Sequence, residues 1–585
     1  MQLKAKSMFE SLSPTQHEIV FNKFGKFVVR ACPGSGKTYC VSARLARLII
    51  EWKEDYTGVA AVSFTNVAWK EIEKKYKEQF SSNHSISFPH FIGTLDSFIN
   101  QFIFLPFGHL VMHCNKRPTL VGEPHNSWTY RIYDRDPHQY FDKCSFDVNG
   151  YLIRIAPAQS FNFSWKNNND GKTNGHVLNL LAAKNELIKL GYSNQSDANY
   201  FAMKILEQFP LICQAVALRF PTLIVDEAQD TSEVQMRIID LLAASGLNEI
   251  MLVGDPDQAI FEWNGAKPAL LNEKIVQWGN AVSLNENRRS SKLICDSTFN
   301  LSSLPAASTS VNSEVVNCEY RPTVVVFNNN LPQVVTNFLA ECTANGITLS
   351  DKTVSILYRG KGMINEIVGV QRIPFGVNHW NNQNKFTKDF VRGKYHYDQG
   401  DFKTGFKLIE KAIFKMQLDV IVCSEEMINK RIETIGFIKH RTIVSNYIGL
   451  LPNTNTSLGG WIEATNTAFA SKNIQHTLQI NPDSNNYSFS QIFLNEDDIV
   501  AETNYRIGTV HSVKGETFDA TLLILKERAA DNSKYVNLLA ITNPSSDHEE
   551  LRITYVGMTR PRKVLMLAVP NEVCRVAWQN KLNIL

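Results

Sequence analysis

The chain carries short, dense apolar runs where a strict alternation would be expected of a half-exposed sheet. Phe27-Val28-Val29-Arg30, Pro221-Thr222-Leu223-Ile224-Val225 and Glu249-Ile250-Met251-Leu252-Val253 each hold three or more consecutive aliphatic or aromatic residues. Runs of that length, bounded by turn residues, read as strands buried on both faces. Each empties into a polar turn. The first runs into Ala31-Cys32-Pro33-Gly34-Ser35-Gly36-Lys37-Thr38, followed by an amphipathic helical pattern through Leu45, Leu48, Ile49 and Ile50. The second ends in Asp226-Glu227-Ala228-Gln229-Asp230, and the third in Gly254-Asp255-Pro256-Asp257-Gln258. Elsewhere the spacing predicts a helical stretch over 176–208, broken at Gly191, and a helix over 402–416. Loops are predicted at Asn167–Gly171 and Thr454–Gly460. No repeated unit is evident.

With 585 residues the chain exceeds what one hydrophobic core sustains, so three or four domains are expected. A hydrophobic share of 44% and a charged share of 20% are those of a soluble globular protein. The longest apolar stretch, 102–112, is cut by Pro106 and Gly108 and is too short to span a bilayer. The N-terminus lacks the apolar segment of a signal peptide. Ten scattered cysteines form no zinc-like spacing, so a reduced, cytoplasmic protein without structural metal is expected. Net charge is only +3, which argues against a broad nucleic-acid-coating surface and for a local groove.

The turns carry the chemistry. A strand, a glycine-rich loop and a helix in succession form a phosphate cradle. Gly34 and Gly36 let successive backbone N–H groups curl around β- and γ-phosphates, and the helix N-terminus adds partial positive charge. Lys37 bridges the β/γ oxygens in this reading, and Thr38 ligates Mg2+. Adjacent carboxylates at a strand end suit metal-assisted hydrolysis: Asp226 for the ion, Glu227 for the attacking water. Taken alone, that pair is equally an acidic helix cap. Gln258 can donate to a phosphate oxygen while accepting from water, as a γ-phosphate sensor would.

The order and wording of these segments resemble the superfamily 1A helicases of the UvrD/PcrA/Rep group. Leu12-Ser13-Pro14-Thr15-Gln16 resembles the Q motif, whose glutamine reads adenine. Val62–Asn66 and Gly93–Phe98 resemble motifs Ia and Ib, Asp226–Gln235 motif II, and Val253–Ala266 motif III. Leu284–Ser290 resembles motif IV, Val354–Arg359 an accessory strand of the second lobe, Thr509–Ala520 motif V and Glu549–Arg562 motif VI. The resemblance implies an α/β protein of two RecA-like P-loop lobes with parallel sheets, each interrupted by a mainly helical subdomain. It implies ATP and Mg2+ as cofactors, bound between the lobes at residues 31–38, Gln16, Glu516, Arg289 and Arg560. The two arginines act as fingers on the γ-phosphate, with Lys37, Glu227 and Gln258 completing the catalytic set. Doubling of Arg288-Arg289 leaves the register of the first finger open, and spacing from Asn287 favours Arg289.

Relatives commonly sandwich adenine between an arginine after the Walker threonine and a tyrosine before the motif IV arginine. Here Tyr39 and Arg288 stand in exchanged places, which preserves an aromatic–guanidinium sandwich. Asn264 replaces an arginine after the motif III tryptophan, Asp96 replaces the motif Ib histidine, and Glu516 lies one place early in motif V. The resemblance places Phe64, Phe261 and Trp263 as base platforms, with core packing as the alternative. Thr65, Asn66, Thr94, Ser97, Thr509 and His511 supply groups for DNA phosphates; His511 is otherwise a buried, hydrogen-bonded histidine.

Expected boundaries are 1–105 and 206–280 for lobe 1A, 106–205 for subdomain 1B, 281–375 and 501–585 for lobe 2A, and 376–500 for subdomain 2B. The expected activity is 3′-to-5′ movement on single-stranded and forked DNA. The alternative is a DNA-end-sensing ATPase subunit: compact length and the KGETFD wording resemble helicases paired with OLD-family nucleases in Gabija-type antiviral defence. A fused nuclease after motif VI is not expected, and RNA is a further candidate substrate.

Overall fold

In the computed structural model the described residues are 9–80, 86–120, 144–154, 159–160, 184–262, 265–328, 330–359, 363–367, 379–381, 384–420, 423, 425–493, 503–526, 535–541 and 548–584. Trp263, Asn264 and the predicted loop at Asn167–Gly171 lie outside them, as do residues 176–183 of the predicted helical stretch.

The apolar runs form a six-stranded parallel sheet. Its strands are β1 (Lys26–Ala31), β2 (Val59–Ser63), β3 (Phe91–Thr94), β4 (Thr222–Asp226), β5 (Glu249–Gly254) and β6 (Ala281–Leu284). They lie in the order β6-β1-β5-β4-β2-β3. The reason the runs do not alternate is visible in the core. Val28, Val62, Leu223, Val225, Ile250 and Leu252 pack on one face against the helices Gln195–Gln208 and Glu233–Ala244. Phe27, Val29, Ala61, Ile224, Met251 and Val253 pack on the other against the helix Lys37–Glu51. Neighbouring residues point to opposite faces, and both faces are covered, so both sets must be apolar.

A second parallel sheet holds β7 (Thr323–Val326), β8 (Val354–Tyr358), β9 (Arg506–Thr509), β10 (Phe518–Ile524) and β11 (Pro561–Val569), ordered β7-β11-β10-β8-β9. It packs against the helices Glu549–Met558 and Glu572–Leu582, with Trp578 of the latter fully buried against Tyr535. These are two RecA-like α/β lobes, each with functional loops at the C-terminal ends of its strands.

One expected boundary is corrected. β6 pairs with β1 from Val28↔Ala281 to Ala31↔Leu284, so residues 281–284 belong to the first sheet and the second lobe begins beyond them. Sequence spacing could not show this, because Ala281–Leu284 reads equally well as an edge strand of either sheet.

Residues 362–503 cluster as a separate unit. Its described part is helical, with helices at Thr387–Asp398, Phe402–Leu418, Phe437–Leu450 and Leu458–Ser471 around Phe390, Ile409, Trp461 and Phe469. The first two pack closely through glycines: a Cβ on Gly405 would stand 2.7 Å from the Tyr397 backbone nitrogen. The predicted loop at Thr454–Gly460 is shorter than expected. Ser457 caps a helix that starts at Leu458, because its hydroxyl accepts from the Gly460 N–H. Among the described residues no single helix is long and apolar enough to cross a membrane.

Candidate nucleotide and nucleic-acid site

β1 delivers the glycine-rich loop onto the N-terminus of the helix Lys37–Glu51, with Gly36 as its N-cap. Gly34 and Gly36 hold φ of +71° and +83°, a region where a side chain is strained. Space demands glycine as well. A Cβ on Gly34 would lie 2.6 Å from Arg289 Cβ and 2.8 Å from Asn287 Oδ1. The loop is braced by the Ser35 hydroxyl, which donates to Cys32 O at 2.7 Å, and by the Gln16 amide, which donates to Ser35 O at 3.4 Å. Gln16 is also the partner of Ser13 in a capping box, so its amide is held from both ends. Ala31, Cys32 and Pro33 are buried beneath the loop, and Lys37, Thr38 and Tyr39 line it half-exposed. Burial pushes the Cys32 thiol up to about 12, which leaves it inert.

β4 carries Asp226 to its buried end. Neither Asp226 oxygen has a hydrogen-bond partner. Burial, then repulsion from Glu227, raises its carboxyl to about 7, against the pull of Lys37. A buried carboxylate with both oxygens unclaimed, beside a lysine and a threonine at a helix start, fits a partly hydrated Mg2+ shared with phosphates. Glu227 takes the left-handed conformation, with φ of +54°, and Gln229 Nε2 donates to its Oε2 at 2.5 Å. Burial opposes its charge, yet Lys37, Lys514, the Gln229 hydrogen bond and Arg560 together outweigh burial and lower its pKa. The two neighbouring carboxyls are thus pushed apart in opposite directions, one toward holding a proton and one toward a permanent base.

Gln258 lies in a short helical turn after β5. Its Nε2 donates to Asp255 Oδ2 at 2.5 Å, and its Oε1 accepts from Arg560 Nη2 at 3.2 Å. Asp255 belongs to the first lobe and Arg560 to the second, so Gln258 sits in a chain across the cleft. Arg560 is 1% exposed and also donates to Val556 O at 2.9 Å and Glu516 O at 3.4 Å. Burial and the proximity of Arg289 lower its pKa. Arg289 Nη1 donates to Thr559 O at 3.0 Å, and burial lowers its pKa to about 10. The motif IV loop is tied directly to the phosphate loop, since Arg288 N donates to Gly34 O at 2.9 Å. Arg288 pairs with Glu286 at 2.9 Å, Tyr39 shares a 2.9 Å hydrogen bond with Ser11, and a Cβ on Gly36 would face both residues. The Glu516 carboxylate pairs with Arg506 at 3.6 Å, while its carbonyl accepts from Arg560.

Among the described residues, those expected on DNA lie at or just beyond the strand ends of both lobes. Phe64 and Phe261 are neighbours, with ring centroids 5.7 Å apart, and His511 meets Phe261 edge-on at 6.0 Å. His511 Nε2 lies 3.1 Å from Ile260 O, and burial lowers its pKa, so a neutral ring donating to that carbonyl ties motif V to motif III. Thr94 caps a helix by accepting from Ser97 N at 3.0 Å, and Ser97 Oγ donates back to Thr94 O. Thr509 and Ser512 repeat the arrangement in the second lobe. Thr65 caps a local turn by accepting from Ala68 N, while Asn66 accepts from the Trp69 indole Nε1.

Residues 12–277 match the UvrD/REP helicase N-terminal domain. That match takes in a little under half of the chain and, with relatives named DNA helicase II and Rep, supports a UvrD-like helicase of superfamily 1A. It is 24% identical over 334 residues to a probable DNA helicase II homolog of Mycoplasma capricolum, which covers 55% of this chain and 43% of the relative. It is 27% identical over 313 residues to DNA helicase II of Haemophilus influenzae, covering 50% and 40%. Against the ATP-dependent DNA helicase Rep of Buchnera aphidicola it is 23% identical over 642 aligned positions, covering 95% and 94%. The chain thus spans about two fifths of the first two relatives.

Sequence reasoning missed several groups that hold this UvrD-like site together. Gln229 bridges motifs II and III, since its Oε1 accepts from Asp255 N at 3.1 Å while its amide holds Glu227. Asn287 Oδ1 accepts from the backbone N–H groups of Arg289 and Ser290, at 2.8 and 2.9 Å, which sets the direction of the motif IV loop. Arg552, 2% exposed, donates to Ala259 O at 2.7 Å and pairs with Glu262. Asp96 is buried and accepts from Asn199 and Gln235, at 3.0 and 2.8 Å. All four lie within or beside the motifs. Their polarity was the only signal, and polarity does not say which partner is reached.

Proposed function

We propose that this chain is an ATP-hydrolysing motor that moves 3′-to-5′ along single-stranded DNA and separates duplex ahead of it. What carries the reading is the Asp255–Gln258–Arg560 chain, which joins a first-lobe strand end to a second-lobe arginine beside the phosphate loop. ATP binds against residues 31–38, with Lys37 on the β/γ oxygens and the adenine between Tyr39 and Arg288, near Gln16. Mg2+, held through Thr38 and Asp226, would neutralise phosphate charge as it builds. Glu227, kept ionised by its cationic neighbours, accepts the proton of the attacking water. Gln258 orients that water, and Arg289 and Arg560 meet the γ-phosphate charge. Because both arginines belong to the second lobe, hydrolysis requires a closed cleft, and reopening after hydrolysis advances the strand past Phe64, Phe261 and Trp263. Thr65, Asn66, Thr94, Ser97, Thr509 and His511 border the path of the phosphates.

The test is ATP turnover with and without oligothymidylate or oligouridylate, together with strand displacement on 3′- and 5′-tailed duplexes. Stimulation by DNA and displacement from the 3′ tail are expected. Stimulation without displacement by the purified chain favours the second reading, a DNA-sensing ATPase subunit of a nuclease complex. Absence of stimulation overturns both.

A further inference from the structure

Between the aromatic pair and the hydrolytic carboxylates lies a cation that touches both. Lys514, in the loop after β9, sends its ammonium 2.5 Å from Asp230 Oδ2 in the other lobe. The same ammonium lies 4.7 Å from the centre of the Phe261 ring. Asp230 is 1% exposed, and its second oxygen has no hydrogen-bond partner, so Lys514 supplies the hydrogen bond its carboxylate receives among the described residues. The backbone N–H of Asp230 donates to Glu227 O at 3.0 Å, closing the turn that holds Glu227 at positive φ. An unbroken series therefore runs from Phe64 through Phe261, Lys514 and Asp230 to Glu227.

We propose that Lys514 is a positioning residue that couples occupancy of the Phe64–Phe261 platform to the hydrolytic glutamate. The inference rests on the reading of that platform as a base-binding surface. Two rings whose centres are 5.7 Å apart leave no gap for a base. A flat ring between them needs about 3.5 Å on each side, about 7 Å in all, so a base entering there must displace Phe261 or Phe64 by about 1 Å or more. Phe261 is the ring that Lys514 and His511 touch from the second lobe. Moving it shifts the cation shared by the ring and Asp230. Asp230 lies buried, where a pairing charge is felt more strongly than in water, so the Asp230 turn follows. Glu227 is re-aimed through the backbone of that turn. The contact is cross-lobe, so separating the lobes breaks it.

The experiment compares ATP turnover at saturating oligothymidylate with turnover in its absence, in the full chain and in Lys514→Met, Lys514→Arg, Asp230→Asn and the double variant Lys514→Met/Asp230→Asn. Saturation removes any effect on DNA affinity. The stimulation ratio is expected to fall about tenfold in Lys514→Met and Asp230→Asn, a change of about 1.4 kcal/mol in coupling. Lys514→Arg keeps most of the ratio, and the double variant, which leaves no buried charge unpaired, falls no further than either single one. A stabilising role alone would lower both rates together and leave the ratio unchanged, which would overturn the inference. So would full stimulation in the double variant. If the unaltered chain shows no stimulation, the proposed function fails first; if it is stimulated and the double variant equally so, only the relay fails.

Discussion

Arg560→Ala isolates the cross-cleft finger. The side chain is wholly buried and donates to Val556 O, Glu516 O, Gln258 Oε1 and Thr559 Oγ1. Losing four such hydrogen bonds costs about 1 kcal/mol or more each, about 4 kcal/mol in all. Burial and Arg289 already disfavour the charge, so its removal relieves a repulsion and offsets part of that loss. The variant should fold, with Tm lower by a few degrees. Catalysis is another matter. The finger opposes charge that develops only in the transition state, and such arginines contribute about 10³–10⁵ in kcat, about 4–7 kcal/mol. Turnover should therefore collapse while the Kd of a slowly hydrolysed ATP analogue stays within about tenfold. Lys at this position cannot reach all four acceptors from its single ammonium and should restore little. The assay is steady-state ATP turnover beside analogue binding followed by fluorescence. A kcat within tenfold of the unaltered chain would refute the reasoning, as would an analogue Kd that rises as far as kcat falls.

Glu227→Gln keeps the Gln229 contact but removes the proton acceptor, and single-turnover hydrolysis should slow by about 10²–10⁴-fold with nucleotide binding intact. Gly34→Ala should abolish analogue binding, because its Cβ would collide with Arg289 and Asn287. Gly25→Ala is the control for backbone strain alone, since it has φ of +74° and nothing within 4 Å of its Cβ, and should lose only about 1 kcal/mol of stability in urea. Burial pushes the Asp96 carboxyl above its usual range, against the hydrogen bonds from Asn199 and Gln235. The folded chain then holds that proton after the unfolded chain has lost it near pH about 3.9, so stability falls as pH rises between the two values and stays lost above. Asp96→Asn should raise the urea midpoint at pH 8 and change it little at pH 4; equal shifts at both would count against this account.

Reading the chain in order was enough for the local chemistry. Strand, glycine loop and helix follow one another within 26–51, so the succession that reads as a phosphate cradle is written in consecutive residues. The buried strands were equally legible, because covering both faces of a sheet forces apolar residues at every position of Leu223–Val225 and Ile250–Val253. Polar groups were legible as types and not as partners. Asp96 turned inward to Asn199 and Gln235, and Lys514 crossed to Asp230, 284 positions away in the chain. The strand at 281–284 joined the first sheet because its edge lay open beside β1, a fact that belongs to the folded sheet. The chain by itself determined what each segment can bond with. Only the tertiary structure decided which of many suitable partners was met, since hydrogen bonds and ion pairs act over a few ångströms and sequence distance says nothing about that separation.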